Sequence, residues 1–145
     1  MSRRRVDQID GKCVYSKQAS EGASMAVSQL NSFVDVQQFI DQVLIDNNEK
    51  HGVGFSPHKA FWLNLSYDDF VNGNVPGVKE PTTGQPIPIL VQGNSAQSNL
   101  ILALQGSGPL FSPDAFRQMP ANGPPFFSAD QIASIAAWID AGCPQ

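Results

Sequence analysis

Apolar residues between positions 36 and 44 recur with the spacing that places side chains on one face of an α-helix. Their i, i+3, i+4, i+7, i+8 pattern predicts a helix packed against a core. The positions are Val36, Phe39, Ile40, Val43 and Leu44. Asp35 is a suitable N-cap, and Gly52 ends the segment. His51 is therefore expected in the last turn, where a histidine complements the negative end of the helix dipole.

Two further amphipathic helices are predicted nearer the C terminus. Asn94 and Ser95 provide caps for a helix that ends at Gly106, and Ser128 with Gln131 has the spacing of a capping box. The expected buried stripe of the first is Leu100, Ile101 and Leu104. The expected stripe of the second is Ile132, Ile135, Ala136 and Ile139, flanked by Trp138 and ended by Gly142 and Pro144.

The segments between these helices are rich in proline and glycine and carry few strand signals. Ser66 is suited to cap a short helical turn, and the adjacent Asp68 and Asp69 are explained by the helix dipole rather than by acid–base chemistry. Only the run PILV suggests a short extended segment. The sequence predicts an all-α domain of three main helices plus short helical turns, joined by long Pro/Gly-rich loops, over residues 33–145. Residues 1–32 are predicted to form a flexible or loosely packed arm.

Charge and hydropathy exclude several classes of function. Charged residues make up 15% of the 145 residues, and the formal net charge is −4. The only basic cluster is Arg3 to Arg5, which predicts no nucleic-acid partner. No apolar run approaches the roughly 20 residues needed to cross a bilayer, so no membrane association is expected. The chain is predicted to be soluble and, as written, cytoplasmic, with export as the alternative if a signal peptide was removed.

The two cysteines, Cys13 and Cys143, lie too far apart in sequence for a zinc site or a redox pair. Free thiols are the favoured state, and a disulfide between them is the alternative in an oxidising compartment. Signatures of a catalytic triad, a phosphate-binding loop and a dinucleotide fold are missing from the sequence. The protein is therefore predicted not to be an enzyme.

Two stretches resemble the C-terminal half of bacterial c-type cytochrome domains. These are VQGNSAQSNLILALQG and MPANGPPFFSADQIASIAAWIDAGCP, and the resemblance extends over roughly residues 35 to 144. In that family a methionine in a Met-Pro loop is the distal iron ligand, and a histidine that closes a Cys-x-x-Cys-His motif is the proximal one. The resemblance places these roles on Met119 and on His58 of GFSPH.

The sequence departs from the family at the attachment site. Gly54 and Pro57 stand where the thioether cysteines would be, which excludes covalent haem. Large aromatic side chains lie close in sequence to both residues that the resemblance assigns as ligands, and each can bury roughly 150–250 Å². We therefore expect a former haem pocket filled by side chains, formed by His58, Phe61, Trp62, Met119, Phe126 and Phe127.

The predicted function is that of a non-catalytic binding or accessory module on a cytochrome-c-like scaffold that has lost covalent haem and holds no cofactor. Its partner is an unknown protein, with a redox enzyme as one candidate. The alternative is a redox or electron-transfer protein that holds noncovalent haem or copper through His58 and Met119. A metal site formed by His51, His58 and Met119 is a further alternative.

Overall fold

The computed structural model describes residues 29–111, 115–121 and 123–145. Five α-helices and one small sheet lie in this part of the chain. The α-helices are α1 (Phe33–Asp46), α2 (Phe61–Asn64), α3 (Tyr67–Asn72), α4 (Asn99–Gln105) and α5 (Ala129–Asp140). The strands are β1 (Asn74–Lys79) and β2 (Pro86–Pro88), and 3₁₀ helices span Lys50–Phe55 and Ser95–Gln97. Most of the predicted arm, including Arg3 to Arg5 and Cys13, lies outside the described residues.

The predicted all-α architecture is wrong, because β1 and β2 form a two-stranded antiparallel sheet. Asn74 pairs with Pro88 and Lys79 with Pro86, and the register shifts between these pairs. The prolines of this region suggested a loop, but a strand with only one neighbour tolerates proline because its outer edge needs no ladder hydrogen bonds. The strand also ends at Pro88, where the predicted extended run PILV begins.

The description as three main helices is also wrong. Helices α1 and α5 have 14 and 12 residues, whereas α4 has only 7. The predicted middle helix is interrupted at Ser98, which separates the 3₁₀ helix Ser95–Gln97 from α4. The Ser98 hydroxyl donates to the Asn94 carbonyl over 2.8 Å and accepts from the Val91 amide over 2.9 Å. These side-chain bonds compete with the helical ladder and favour a break at this position.

Helix α1 begins earlier than predicted and ends earlier too. Its N-cap is Ser32, whose hydroxyl accepts a hydrogen bond from the Asp35 amide over 3.2 Å. The Asp35 carboxylate accepts from the Asn31 amide over 2.9 Å, so this residue supports the cap from inside the first turn. Because α1 ends at Asp46, His51 lies in the following 3₁₀ helix and is exposed, not in the last helical turn.

Aromatic side chains from α1, α3 and α5 form the centre of the core. Trp138, predicted only to flank the α5 stripe, is 1% exposed, and its indole lies 6.4 Å from the ring of Phe33 and from that of Phe70. Its Nε1 donates to the Pro144 carbonyl over 2.9 Å. The capping box of Ser128 and Gln131 is confirmed and starts α5. This core fixes α1 and α5 relative to each other. The chain between these two helices carries most of the candidate site.

Candidate ligand-binding site

A cavity of about 560 Å³ lies beside the aromatic core. Its walls come from α1, the 3₁₀ helix Lys50–Phe55, α2, both strands, α4 and the loop before α5. Ligand pockets in proteins commonly measure about 300–1,000 Å³, so the cavity has the size of a small-molecule site. Most of its lining is apolar, and six aromatic side chains contribute: Phe55, Phe61, Trp62, Phe111, Phe116 and Phe127.

The cavity brings together most of the residues predicted from sequence. His58, Phe61, Trp62, Met119 and Phe127 all line it. The aromatic residues among them form its walls and leave the space open, which differs from the expectation of a filled pocket.

Two predicted residues lie elsewhere. Phe126 is half-buried and outside the cavity lining, with its ring against Gly123 so closely that a side chain there would collide with it. Phe126 and Phe127 are consecutive in the irregular segment before α5. Of the two, Phe127 lines the cavity and belongs to the core. His51, the third residue of the alternative metal site, is exposed and does not line the cavity.

The imidazole of His58 is oriented by its own loop. Its Nδ1 lies 2.8 Å from the Lys59 carbonyl and 3.4 Å from the Ser56 hydroxyl. The Ser56 hydroxyl donates its proton to the Val53 carbonyl over 2.7 Å, so both groups near Nδ1 are acceptors. Nδ1 therefore carries the proton, and in the neutral ring Nε2 is left as a hydrogen-bond acceptor or ligand atom.

Phe61 and Trp62 form a braced wall at the start of α2. The Phe61 ring lies 5.9 Å from that of Phe70 in a stacked arrangement and 5.5 Å from the Trp62 ring in an edge-on one. The Trp62 carbonyl accepts from the Gln37 amide group over 2.7 Å. The Phe61 ring also meets the His58 imidazole edge-on at 5.4 Å. These contacts hold the wall in place without a ligand.

Glu49 is a site residue that the sequence did not reveal. It lines the cavity, is only 6% exposed, and its Oε2 has no hydrogen-bond partner among the described residues. The backbone takes the left-handed conformation at Asn48 (φ 58°), and the Glu49 amide donates to the Leu44 carbonyl over 2.8 Å. This turn brings Glu49 back under α1. From the sequence alone, the polar run NNEK predicts only that a helix ends there.

The described residues offer little to a metal ion. No group of three or more His, Cys, Asp or Glu side chains in this part of the chain is arranged to hold one. Cys143 is a buried free thiol outside the cavity lining, and its predicted alternative partner Cys13 lies outside the described residues. Among the described residues that line the cavity, Glu49 and His58 are the ionisable ones.

No protein-family model, curated protein or solved structure matches this chain. In the described part of the chain, no helix has the length and apolar character that crossing a membrane requires.

Proposed function

We propose that the protein is a non-catalytic binding module that takes a largely apolar organic molecule into its cavity. The observation that carries the proposal is the cavity of about 560 Å³, walled by aromatic and aliphatic side chains beside a packed core. Apolar ligands gain affinity from such a site because their surface leaves water, and walls that are already in place lower the ordering cost of binding.

Nile red, a neutral fluorophore that brightens in apolar surroundings, tests this proposal directly. We expect saturable binding at one site per chain. Ala103, which lines the cavity from α4, gives a variant that fills the space, Ala103→Phe. The exposed Ala137 on α5 lies outside the cavity and gives the matched control, Ala137→Phe.

The Ala103→Phe variant should bind the dye at least about tenfold more weakly, because a side chain occupies volume that the ligand needs. The control should bind like the wild type. Equal binding by all three proteins would place the dye outside the cavity and contradict the proposal.

Noncovalent haem is a second candidate, favoured by the presence of both His58 and Met119 in the cavity wall. A histidine and a methionine are a recognised pair of axial haem ligands, and the free Nε2 of His58 suits this role. Haem held there would supply one-electron redox chemistry, with His58 and Met119 as the residues that hold the iron. Copper is less well matched, because His51 does not reach the cavity to complete a set of three ligands.

The electrostatics of the cavity disfavour haem relative to a ligand without anionic groups. Haem carries two propionate groups, and no Lys or Arg is found among the described residues that line the cavity. The buried Glu49 would add a third carboxyl group to the same space. The aromatic walls accept a flat ligand, but the electrostatics favour one without anionic groups.

A haemin titration followed by visible spectroscopy tests the second candidate. Haem held by His58 would give a Soret band that saturates at one haem per chain, and His58→Ala would lose this spectrum. His51→Ala is the matched control, since His51 is exposed and outside the cavity. A spectrum that stays that of free haemin, or that survives His58→Ala, would exclude the candidate. The accessory role beside a protein partner, for which a redox enzyme is a candidate, rests on the sequence resemblance alone.

A further inference from the structure

The unpaired Oε2 atom of the Glu49 carboxyl group is the most unusual polar feature of the cavity. This atom is buried and has no hydrogen-bond partner among the described residues. The neighbouring Lys50 does not neutralise it, because the Lys50 ammonium is paired with Asp41 over 2.7 Å. Buried polar groups in folded proteins nearly always have a partner, and those left without one commonly belong to functional sites.

We propose that Glu49 recognises a protonated amine on the ligand, so that the cavity selects amphiphilic cations with an apolar body. This inference rests on the proposed function, because it assigns specificity to the same cavity. A charge-assisted hydrogen bond from an ammonium group would satisfy the acceptor that the fold leaves open. Such a bond is strong in apolar surroundings, where water does not compete for either partner.

The rest of the cavity wall favours a cation over an anion. None of the described lining residues is a lysine or an arginine. An anionic ligand would therefore meet the carboxyl group of Glu49 with no positive charge to offset the repulsion. Aromatic rings, among them Phe61 and Trp62, line the space, and the faces of such rings attract cations. The free Nε2 of His58 adds a second acceptor for an N–H group.

Three naphthalene derivatives that differ only in the polar group test the inference. They are naphthylmethylamine, naphthylmethanol and naphthylacetate, which at neutral pH are cationic, neutral and anionic. Calorimetric titration of the full chain should show the amine bound at least about tenfold more tightly than the alcohol, as one charge-assisted hydrogen bond predicts, with the carboxylate weakest.

Glu49→Gln keeps the size of the side chain and removes its charge. In this variant the amine-to-alcohol affinity ratio should fall several-fold, with the aromatic faces and His58 supplying the preference that remains, while the alcohol binds as in the wild type. Glu80→Gln, in the turn between β1 and β2 and outside the cavity, removes the same charge elsewhere and should keep the wild-type ratio. The wild-type selectivity stands as a separate measurement, so it tests the inference even if the Glu49 variant folds poorly.

The outcomes separate the two proposals. If the wild type binds the alcohol but shows no preference for the amine, the role of Glu49 is refuted and the apolar site stands. An amine preference that is undiminished in Glu49→Gln, or that falls equally in Glu80→Gln, also refutes that role. If none of the three compounds binds the wild type, the proposed binding function fails as well.

Discussion

The backbone amide of Met119 donates a hydrogen bond to the carbonyl of Ala103 over 2.9 Å. Ala103 lies in the last turn of α4, where helical carbonyls have no partner within the helix. Next to it, the Gln118 side chain donates to the Leu104 carbonyl over 2.9 Å. The C-terminal end of α4 therefore anchors the loop that places Met119 in the cavity wall, and the position of Met119 depends on how α4 ends.

Gly106→Ala tests this dependence. Gly106 ends α4 with a φ of 69°, and a Cβ atom there would lie 2.9 Å from Cβ of Gln118. We expect a loss of stability of about 2–3 kcal/mol, from left-handed strain plus displacement of the loop, and weaker Nile red binding. Urea unfolding and the dye titration measure the two effects.

Gly84→Ala is the control for that substitution. Gly84 has a similar φ of 71°, but a Cβ atom there meets no atom of the described residues within 4 Å. It should cost only the strain, about 1 kcal/mol, and leave dye binding unchanged. Equal losses of stability in both variants would mean that the Gln118 contact does not matter.

Ser98 offers a second test of how the cavity wall is held. Its buried hydroxyl accepts from the Val91 amide and donates to the Asn94 carbonyl, which joins the segment after β2 to the start of α4. Ser98→Ala should lower the free energy of unfolding by about 1–2 kcal/mol, because the Val91 amide, whose hydrogen bond to Ser98 is part-buried, loses its acceptor. Urea unfolding of the wild type and the variant measures this difference in free energy.

The exposed Ser107 gives the comparison for Ser98. Its hydroxyl donates to the Gln105 side-chain carbonyl over 3.2 Å at the surface. Ser107→Ala should therefore change stability by less than about 0.5 kcal/mol. If the two serine variants were equally stable, the Ser98 hydrogen bonds would contribute nothing to the fold.

Local signals predicted the long helices well. The apolar spacing of α1 and the capping box of α5 are set by residues three or four positions apart, and both helices form there. The sheet was missed because its pairing joins Asn74 to Pro88 and Lys79 to Pro86 across a turn. Prolines weaken every local strand signal, and only the partner strand explains why they are tolerated.

Only part of the candidate site was predicted, because local sequence signals do not show which distant residues meet. The sequence resemblance pointed to His58 and Met119, and both line one cavity. Glu49 could not be found from its neighbours, because its burial depends on the turn that folds the 3₁₀ helix under α1. Phe126 was placed wrongly since helical or strand periodicity does not apply to the irregular segment before α5, where adjacent side chains point in unrelated directions.

The Cys143 thiol predicts a stability change at alkaline pH. Burial raises its pKa from 9.0 to about 11, an effect that the Gly93 amide partly opposes. Between these values the unfolded chain loses the thiol proton while the folded chain keeps it, so stability is complete below pH 9 and falls as the pH rises toward 11. The loss should reach about 2–3 kcal/mol.

Cys143→Ser isolates the contribution of the thiol, because a hydroxyl does not ionise in this range. The difference in unfolding free energy between wild type and variant, measured by urea unfolding at several pH values, should be constant below pH 9 and shrink above it. A difference that stays constant up to pH 11 would show that the thiol titrates alike in both states.

Phe55 provides the last prediction, because its ring is 91% exposed and yet belongs to the cavity lining. A large apolar side chain in that position contributes little to the core but can cover a bound ligand. Phe55→Ala should weaken Nile red binding by about three- to tenfold, since part of the ligand's apolar surface would face water. The melting temperature should stay close to that of the wild type. Ile45→Ala, which removes a 50% exposed side chain of α1 outside the cavity, should leave both measurements unchanged. Equal dye affinity in the two variants would show that Phe55 makes no contact with the ligand.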